Sequence, residues 1–192
     1  MLPGTIQAEN FDEGGASVAY FDTTPGNRGG AYRQTDVDIE ATADAGGGWD
    51  IGWTRPGEWL QYTADVSRSG TYALELRVAS ASTGGTVRVE VDGADVTGTL
   101  VVPNTGGWQA WQTIRKDGIA LQAGRHRIRL VFVGAGTNGH PRSEQRERSC
   151  APAETIATVR LSRQCAPKTA LAAPRAASAV VFERDRVVAT SQ

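Results

Sequence analysis

Two stretches of strict alternation set the tightest limit on how this chain can fold. In Val87-Arg88-Val89-Glu90-Val91 three valines alternate with two charged residues, and Arg125-His126-Arg127-Ile128-Arg129-Leu130 keeps the same period. A period of two sends apolar side chains to one face of a strand and charges to the other, whereas a helix needs a period near 3.6. Asp92-Gly93 follows the first stretch directly. A type I′ turn needs positive φ at both central residues, so this pair predicts a tight hairpin. No segment carries a convincing helical period.

Other runs rich in Val, Ile, Thr, Tyr and Trp are separated by Gly, Asp, Asn and Ser. They predict strands over Thr5–Phe11, Ala31–Glu40, Trp49–Thr54, Glu58–Val66 and Gly70–Ala79, and over Thr86–Val91, Ala94–Val102, Ala110–Arg115 and Gly124–Val133. Many short strands with regular turns imply an all-β fold, a β-sandwich or jelly roll. Trp59, Leu60, Tyr62, Tyr72, Leu74 and Leu76 are the core candidates on the two central runs.

The chain of 192 residues changes character near Gly136. Up to that point it carries 11 Lys/Arg against 16 Asp/Glu; from Thr137 on it carries 9 against 5. Every Trp and Tyr lies before residue 137, both cysteines lie after it, and Gly139 is the last glycine. Residues 141–148 are a charged run, residues 166–179 are Ala/Pro-rich, and Phe182 is the one aromatic of this part. Such a segment can bury little apolar surface. The sequence therefore predicts a sandwich over residues 1–136 and a largely irregular, poorly ordered tail over 137–192, in which a short run such as Ala179–Phe182 can still add a strand.

The overall net charge of −1 gives no electrostatic reason to expect nucleic acid or an anionic membrane as partner. No apolar run approaches the roughly 20 residues that span a bilayer. Met1-Leu2-Pro3-Gly4-Thr5 lacks the pattern of a secretory signal, so an exported protein would carry its signal upstream in a longer parent chain. A monomer is expected.

Six motifs, in order, resemble carbohydrate-binding module family 6, whose members are attached to secreted polysaccharide hydrolases. They are Ile6-Gln7-Ala8-Glu9-Asn10-Phe11, residues 26–33 (GNRGGAYR), Asp36-Val37-Asp38-Ile39-Glu40, Gly57-Glu58-Trp59-Leu60-Gln61-Tyr62, Gly70-Thr71-Tyr72 with Leu76-Arg77-Val78-Ala79, and Gly106-Gly107-Trp108-Gln109-Ala110-Trp111. The match runs from about Thr5 to Gly134. It implies a non-catalytic, extracellular module that targets the catalytic domain of a parent glycoside hydrolase to a polysaccharide. β-1,3-Glucan is the leading ligand, followed by agarose and xylan. Members close with a strand reading like Phe-Asn-Leu-Asn-Trp, and here Thr137-Asn138-Gly139-His140-Pro141 stands instead. The change resembles what a reading-frame shift produces, a truncated module joined to unrelated coding sequence.

A sugar ring offers a C–H face for aromatic stacking and a rim of hydroxyls for polar groups. By the resemblance, Tyr32 and Trp108 are the two aromatics that grip a ring in a loop-end cleft. Both stand beside glycine pairs, Gly29-Gly30 and Gly106-Gly107. Tyr20 takes a cleft position in the same resemblance, and Asn138 is the candidate for the asparagine of the closing strand, with a turn role as its alternative. Trp59 and Trp111 sit inside strand patterns and are read as core. Gln7 and Glu9 are two apart, which on a strand sets them on one face. The resemblance implies a structural calcium there, held with a main-chain carbonyl near Arg28; oxygen donors suit this hard cation. The alternative for Glu9 is a plain surface carboxylate.

Two rival functions follow from the same residues. Asp36, Asp38 and Glu40 alternate, and strand rise sets neighbours about 7 Å apart, within the range of roughly 6.5–9.5 Å for an inverting glycosidase pair. Crowded carboxylates on a solvated strand face are the simpler account. A structural or adhesion sandwich is the other rival. His126 and His140 lack metal-ligand spacing, and Cys150 and Cys165 have no further ligands nearby.

Overall fold

The computed structural model describes residues 1–82, 84–134 and 155–164. Its strands are, in chain order, β1 (Gly4–Gln7), β2 (Tyr20–Phe21), β3 (Ile39–Ala41), β4 (Trp49–Ile51), β5 (Trp59–Val66) and β6 (Gly70–Ser80). β7 (Thr86–Val91), β8 (Ala94–Asp95), β9 (Leu100–Val101), β10 (Gly107–Leu121), β11 (Gly124–Gly134) and β12 (Thr155–Arg163) follow. They form two antiparallel sheets. The first runs β10-β6-β12-β4-β3 with β1 added on β12, and the second runs β2-β5-β11-β7-β8 with β9 added on β7. No helix occurs among the described residues.

Alternation builds the interior. Leu60, Leu130 and Val89 line up across β5, β11 and β7, and Tyr62, Ile128 and Val91 form the next row. All six are buried, while Arg88, Glu90 and Arg129 face outward. The opposite sheet answers with Leu76 beside Val159, Leu74 beside Leu161 and Val78 beside Ile156. The expected hairpin forms, with φ of 51° at Asp92 and 85° at Gly93. Asp92 adds a clasp by accepting the Arg127 N–H at 2.9 Å.

Several expected strands differ: Trp49–Thr54 stops at Ile51, and Ala110–Arg115 widens to Gly107–Leu121. Thr5–Phe11 stops at Gln7, because Asn10 N–H bonds back to the Gln7 carbonyl at 3.0 Å and turns the chain. Ala94–Val102 is reduced to β8 and β9 by a turn in which Asp95 accepts from Thr97 and Gly98 N–H groups. Of Ala31–Glu40 only the end is strand. Asn27 holds the rest as a loop: its Nδ2 donates to the carbonyls of Ala31 (2.8 Å) and Arg33 (3.1 Å). Its Oδ1 accepts from Gly30 and Ile39 N–H, both at 2.9 Å. Side-chain bonds of this kind compete directly with a sheet ladder. The loop crosses so closely that a Cβ on Gly29 would lie 2.0 Å from the Ile39 carbonyl oxygen.

The expected domain end at Gly136 also needs correction. β12 comes from the segment read as a tail, yet it inserts between β6 and β4 and pairs with β1. Ile156, Val159 and Leu161 are each at most 2% exposed. Burying such a side chain contributes about 1.5–3 kcal/mol, so this strand is part of the core. The run Ala179–Phe182 lies outside the described residues. Trp59 is not a core residue: Leu60, Tyr62, Ala64 and Val66 point inward from β5, so Trp59 takes the other face.

Candidate functional site

One end of the first sheet gathers the loops that matter. β4 ends at Ile51 beside Ile156, Thr155 stands beside Ala79, and Ser80 stands beside Gly107, where β10 begins. Ile39 pairs with Ile51, and Ala31 N–H donates to the Ile39 carbonyl at 3.3 Å. The Tyr32 loop, the turn after β4 and the start of β10 therefore share this end.

Trp108 reaches it by slack in β10. Between Gly107 and Gln112 that strand advances five residues while β6 advances two, from Ser80 to Val78. The surplus carries Gln109 across to the β3–β4 hairpin. Its Nε2 donates to Glu40 Oε1 (3.1 Å) and Asp50 Oδ2 (3.0 Å), and its Oε1 accepts from Ala43 N–H (2.7 Å) and Trp111 Nε1–H (3.2 Å). Glu40 and Asp50 are cross-strand partners, so their side chains share a face. Four bonds to one amide fix the backbone on which Trp108, half-buried, stands. Asp50 is fully buried. Burial pushes its carboxyl up to about 6, against the Gln109 hydrogen bond and with help from the Glu40 charge.

Tyr32 is 51% exposed and has φ of 64°. Its ring lies 5.9 Å from that of Trp49, and its hydroxyl donates to Asn10 Oδ1. A bulky residue with positive φ is a backbone outlier, and such strain concentrates at ligand sites. Trp53 shares this trait with φ of 51°, half-buried in the turn after β4. The sequence marks it only by Gly52 beside it, a single glycine where Tyr32 and Trp108 have pairs.

Other expected site residues are placed differently. Tyr20 is buried, edge-to-face with Phe11 at 5.5 Å, and only its hydroxyl reaches a polar partner, Asp36. Its ring is core, because it sits on the inward face of β2. Asn138 lies outside the described residues. Trp111 is half-buried and tied to Gln109, not core. Trp59 carries the Arg129 guanidinium 3.9 Å over its ring.

Gln7 and Glu9 do not share a strand face, since the chain turns after Gln7. Gln7 is exposed and Glu9 is buried. Burial raises the Glu9 carboxyl, against the pull of its own backbone N–H and of Arg33, and Oε2 has no hydrogen-bond partner among the described residues. Arg28 meets the neighbouring loop through its N–H, which donates to Asp38 Oδ1 at 2.6 Å.

The three alternating carboxylates are dispersed. Asp36 is held by Gly26 N–H (2.9 Å) and faces Tyr20. Asp38 is 2% exposed, which raises its carboxyl against the Arg28 hydrogen bond, and Glu40 alone lies in a strand. The Asn27-centred loop removes the common strand face on which a paired acid and base, or one solvated acidic surface, depended. His126 bonds Asp92 at 2.6 Å, while His140, Cys150 and Cys165 lie outside the described residues.

Comparison with known proteins places this architecture. The family described as carbohydrate binding module (family 6) matches residues 30–140. The clotting factor G α subunit of Tachypleus tridentatus is 35% identical over 109 residues, 56% of this chain and 16% of that protein. An arabinoxylan arabinofuranohydrolase of Bacillus subtilis is 38% identical over 84 residues, 42% of this chain and again 16% of the relative. The chain thus spans about a sixth of the curated relatives it matches. A β-1,3-glucan-binding family 6 module from Bacillus halodurans superposes with a TM-score of 0.57 at 28% identity, covering 84% of this chain and 96% of that one. A module from a Cellvibrio mixtus lichenase, solved with cellotriose, gives 0.59 at 29% identity over 86% and 100%. Family 6 modules are non-catalytic, bind polysaccharide and occur attached to glycoside hydrolase catalytic domains. The match over more than half of the residues, on a two-sheet β-sandwich with aromatics at one end, establishes that this chain belongs to carbohydrate-binding module family 6.

Proposed function

We propose that the chain binds polysaccharide at this loop end by stacking sugar rings on Tyr32 and Trp108, with Trp53 as a third aromatic surface. The observation that carries the reading is the Gln109 clasp. It spans from β10 to Glu40 and Asp50, bringing the two edges that bear these aromatics toward one another. An amide already saturated by protein partners is scaffold, and the neighbouring indole is left for a ligand. β-1,3-Glucan leads the candidates, on the likeness to the Bacillus halodurans module. Agarose follows, on the 30% identity over 90 residues to the β-agarase AgaA of Microbulbifer thermotolerans, and then xylan. In this reading the chain is the targeting part of a secreted glycoside hydrolase and releases no sugar itself.

Affinity electrophoresis in gels of laminarin, agarose and xylan tests this. Retardation in at least one gel is the expected result. Release of reducing sugar would make the chain an enzyme, and unretarded migration in all three would favour an adhesion role.

Calcium at Glu9, Gln7 and the Arg28 carbonyl is proposed as a structural ion. The buried, unpartnered Glu9 Oε2 is the feature that fits a cation, since a carboxylate oxygen removed from water needs a compensating partner. Calcium at about 100 times its dissociation constant should then add roughly 2.7 kcal/mol of stability and leave sugar affinity unchanged. A melting temperature indifferent to chelator removes the ion from this account.

A further inference from the structure

The backbone that carries the Tyr32 ring is set by an uncommon turn. Arg33 N–H donates to the Ala31 carbonyl at 2.7 Å, and Tyr32 between them has φ of 64°. A bond from i+2 back to i around a positive φ is a γ-turn of the rare, strained kind. Asn27 Nδ2 reinforces it by donating to the carbonyls of Ala31 and Arg33. Strain of this sort persists only where neighbours over-determine the backbone. The turn therefore fixes the Tyr32 Cα and the direction of its Cβ. Two side-chain torsions are left to set where the ring lies.

Asn10 removes that remaining freedom. Its Oδ1 accepts from the Tyr32 hydroxyl, at the far end of the ring. Asn10 is itself anchored: its N–H donates to the Gln7 carbonyl at 3.0 Å, and its neighbours Glu9 and Phe11 are buried. Trp49, packed against the core, stands 5.9 Å from the Tyr32 ring at one side. A ring that is half exposed is thus held at both ends. The bond does little for the fold, because both side chains are exposed and water can replace either partner. What it sets is orientation.

We infer that Asn10 is a positioning residue for polysaccharide binding, which holds the Tyr32 ring in the orientation that a sugar face meets and does not itself touch the sugar. The inference rests on the stacking role proposed for Tyr32. A loose tyrosine loses rotamer freedom when a ligand stacks on it. One already anchored through its hydroxyl loses little, and the difference appears as affinity. Asn10 acts through that hydroxyl alone, so its effect must vanish when the hydroxyl is gone.

Titration of the full chain with laminarihexaose, neoagarohexaose and xylohexaose supplies the test, using the tightest of the three as probe. Asn10→Ala should lower affinity about 2- to 10-fold with the melting temperature unchanged, and Tyr32→Phe should do the same. The double variant should lose no more than either single one, because the two changes remove one interaction. Asn10→Asp at neutral pH keeps an acceptor for the hydroxyl and should bind nearly as well as the unmutated chain. Unchanged affinity in Asn10→Ala, additive losses in the double variant, or an Asn10→Asp as weak as Asn10→Ala overturns the positioning role. If Tyr32→Ala still abolishes binding in that case, the stacking reading stands without it. Binding kept by Tyr32→Ala, or absent from the unmutated chain with all three oligosaccharides, overturns both.

Discussion

The sandwich interior and its loop end both hold large aromatics, and they hold them in opposite ways. Tyr62 and Tyr72 are at most 2% exposed, and their hydroxyls donate to the carbonyls of Ala8 (2.8 Å) and Arg68 (2.6 Å). Nothing on them is left for a ligand. At the loop end, Tyr32 is half exposed and Trp53 and Trp108 half-buried, and two of the three sit at positive φ. The interior spends its aromatics on stability, whereas the loop end holds them on a backbone fixed by other side chains. Binding and stability should therefore separate cleanly when residues of the two regions are changed.

The largest effect is expected inside. Leu161 on β12 is 2% exposed and packs beside Leu74, so Leu161→Ala should cost about 2–5 kcal/mol in denaturant unfolding. A negligible loss would remove β12 from the core and restore the boundary at Gly136.

A smaller effect comes from pH. The buried Asp50 carboxyl has a folded-state value of about 6, above its ordinary 3.8. Its stabilising contribution is therefore complete below about 3.8 and lost as pH rises through about 6. Asp22, raised to about 6 chiefly by burial, acts in the same direction. With chelator present, stability should be higher at pH 5 than at pH 7.5, by about 1–2 kcal/mol after allowance for screening. Asp50→Asn should roughly halve that difference and leave the Asp22 share, and an unchanged slope would show that the clasp residue is not buried as described.

These two regions were not equally legible in the sequence. The β7–β11 half could be read directly, because alternation and the Asp92-Gly93 turn are local signals that tertiary packing had no reason to override. β12 carries the same signal in Val159-Arg160-Leu161-Ser162, but the composition of the whole tail drowned four residues of pattern. Trp59 was misread although parity with Leu60 and Tyr62 sends it outward. The Tyr32 loop was misread as strand because its β-prone residues are captured by one side chain, Asn27, whose reach no propensity encodes. Tyr32 and Trp108 stand out through the family resemblance, with glycine pairs beside them as the local cue, whereas Trp53 has only the single Gly52. The clasp by Gln109 depends on a bulge that only pairing with β6 reveals.

Trp59 gives a smaller stability effect than either and sharpens the contrast from the surface. It lies outside the core under Arg129, so Trp59→Ala should lose about 0.5–1 kcal/mol from the cation–π contact, plus some packing. A loss of several kcal/mol would return it to the interior class.

Trp108 tests the central claim most directly. Trp108→Ala in the full chain should abolish polysaccharide retardation and measurable binding in calorimetric titration, while its melting curve stays close to that of the unmutated chain. A core tryptophan truncated to alanine would instead cost about 3–5 kcal/mol. If Trp108→Ala melts the protein, or leaves it folded and binding as before, then the loop end is not a binding surface held apart from the fold, and the account is contradicted.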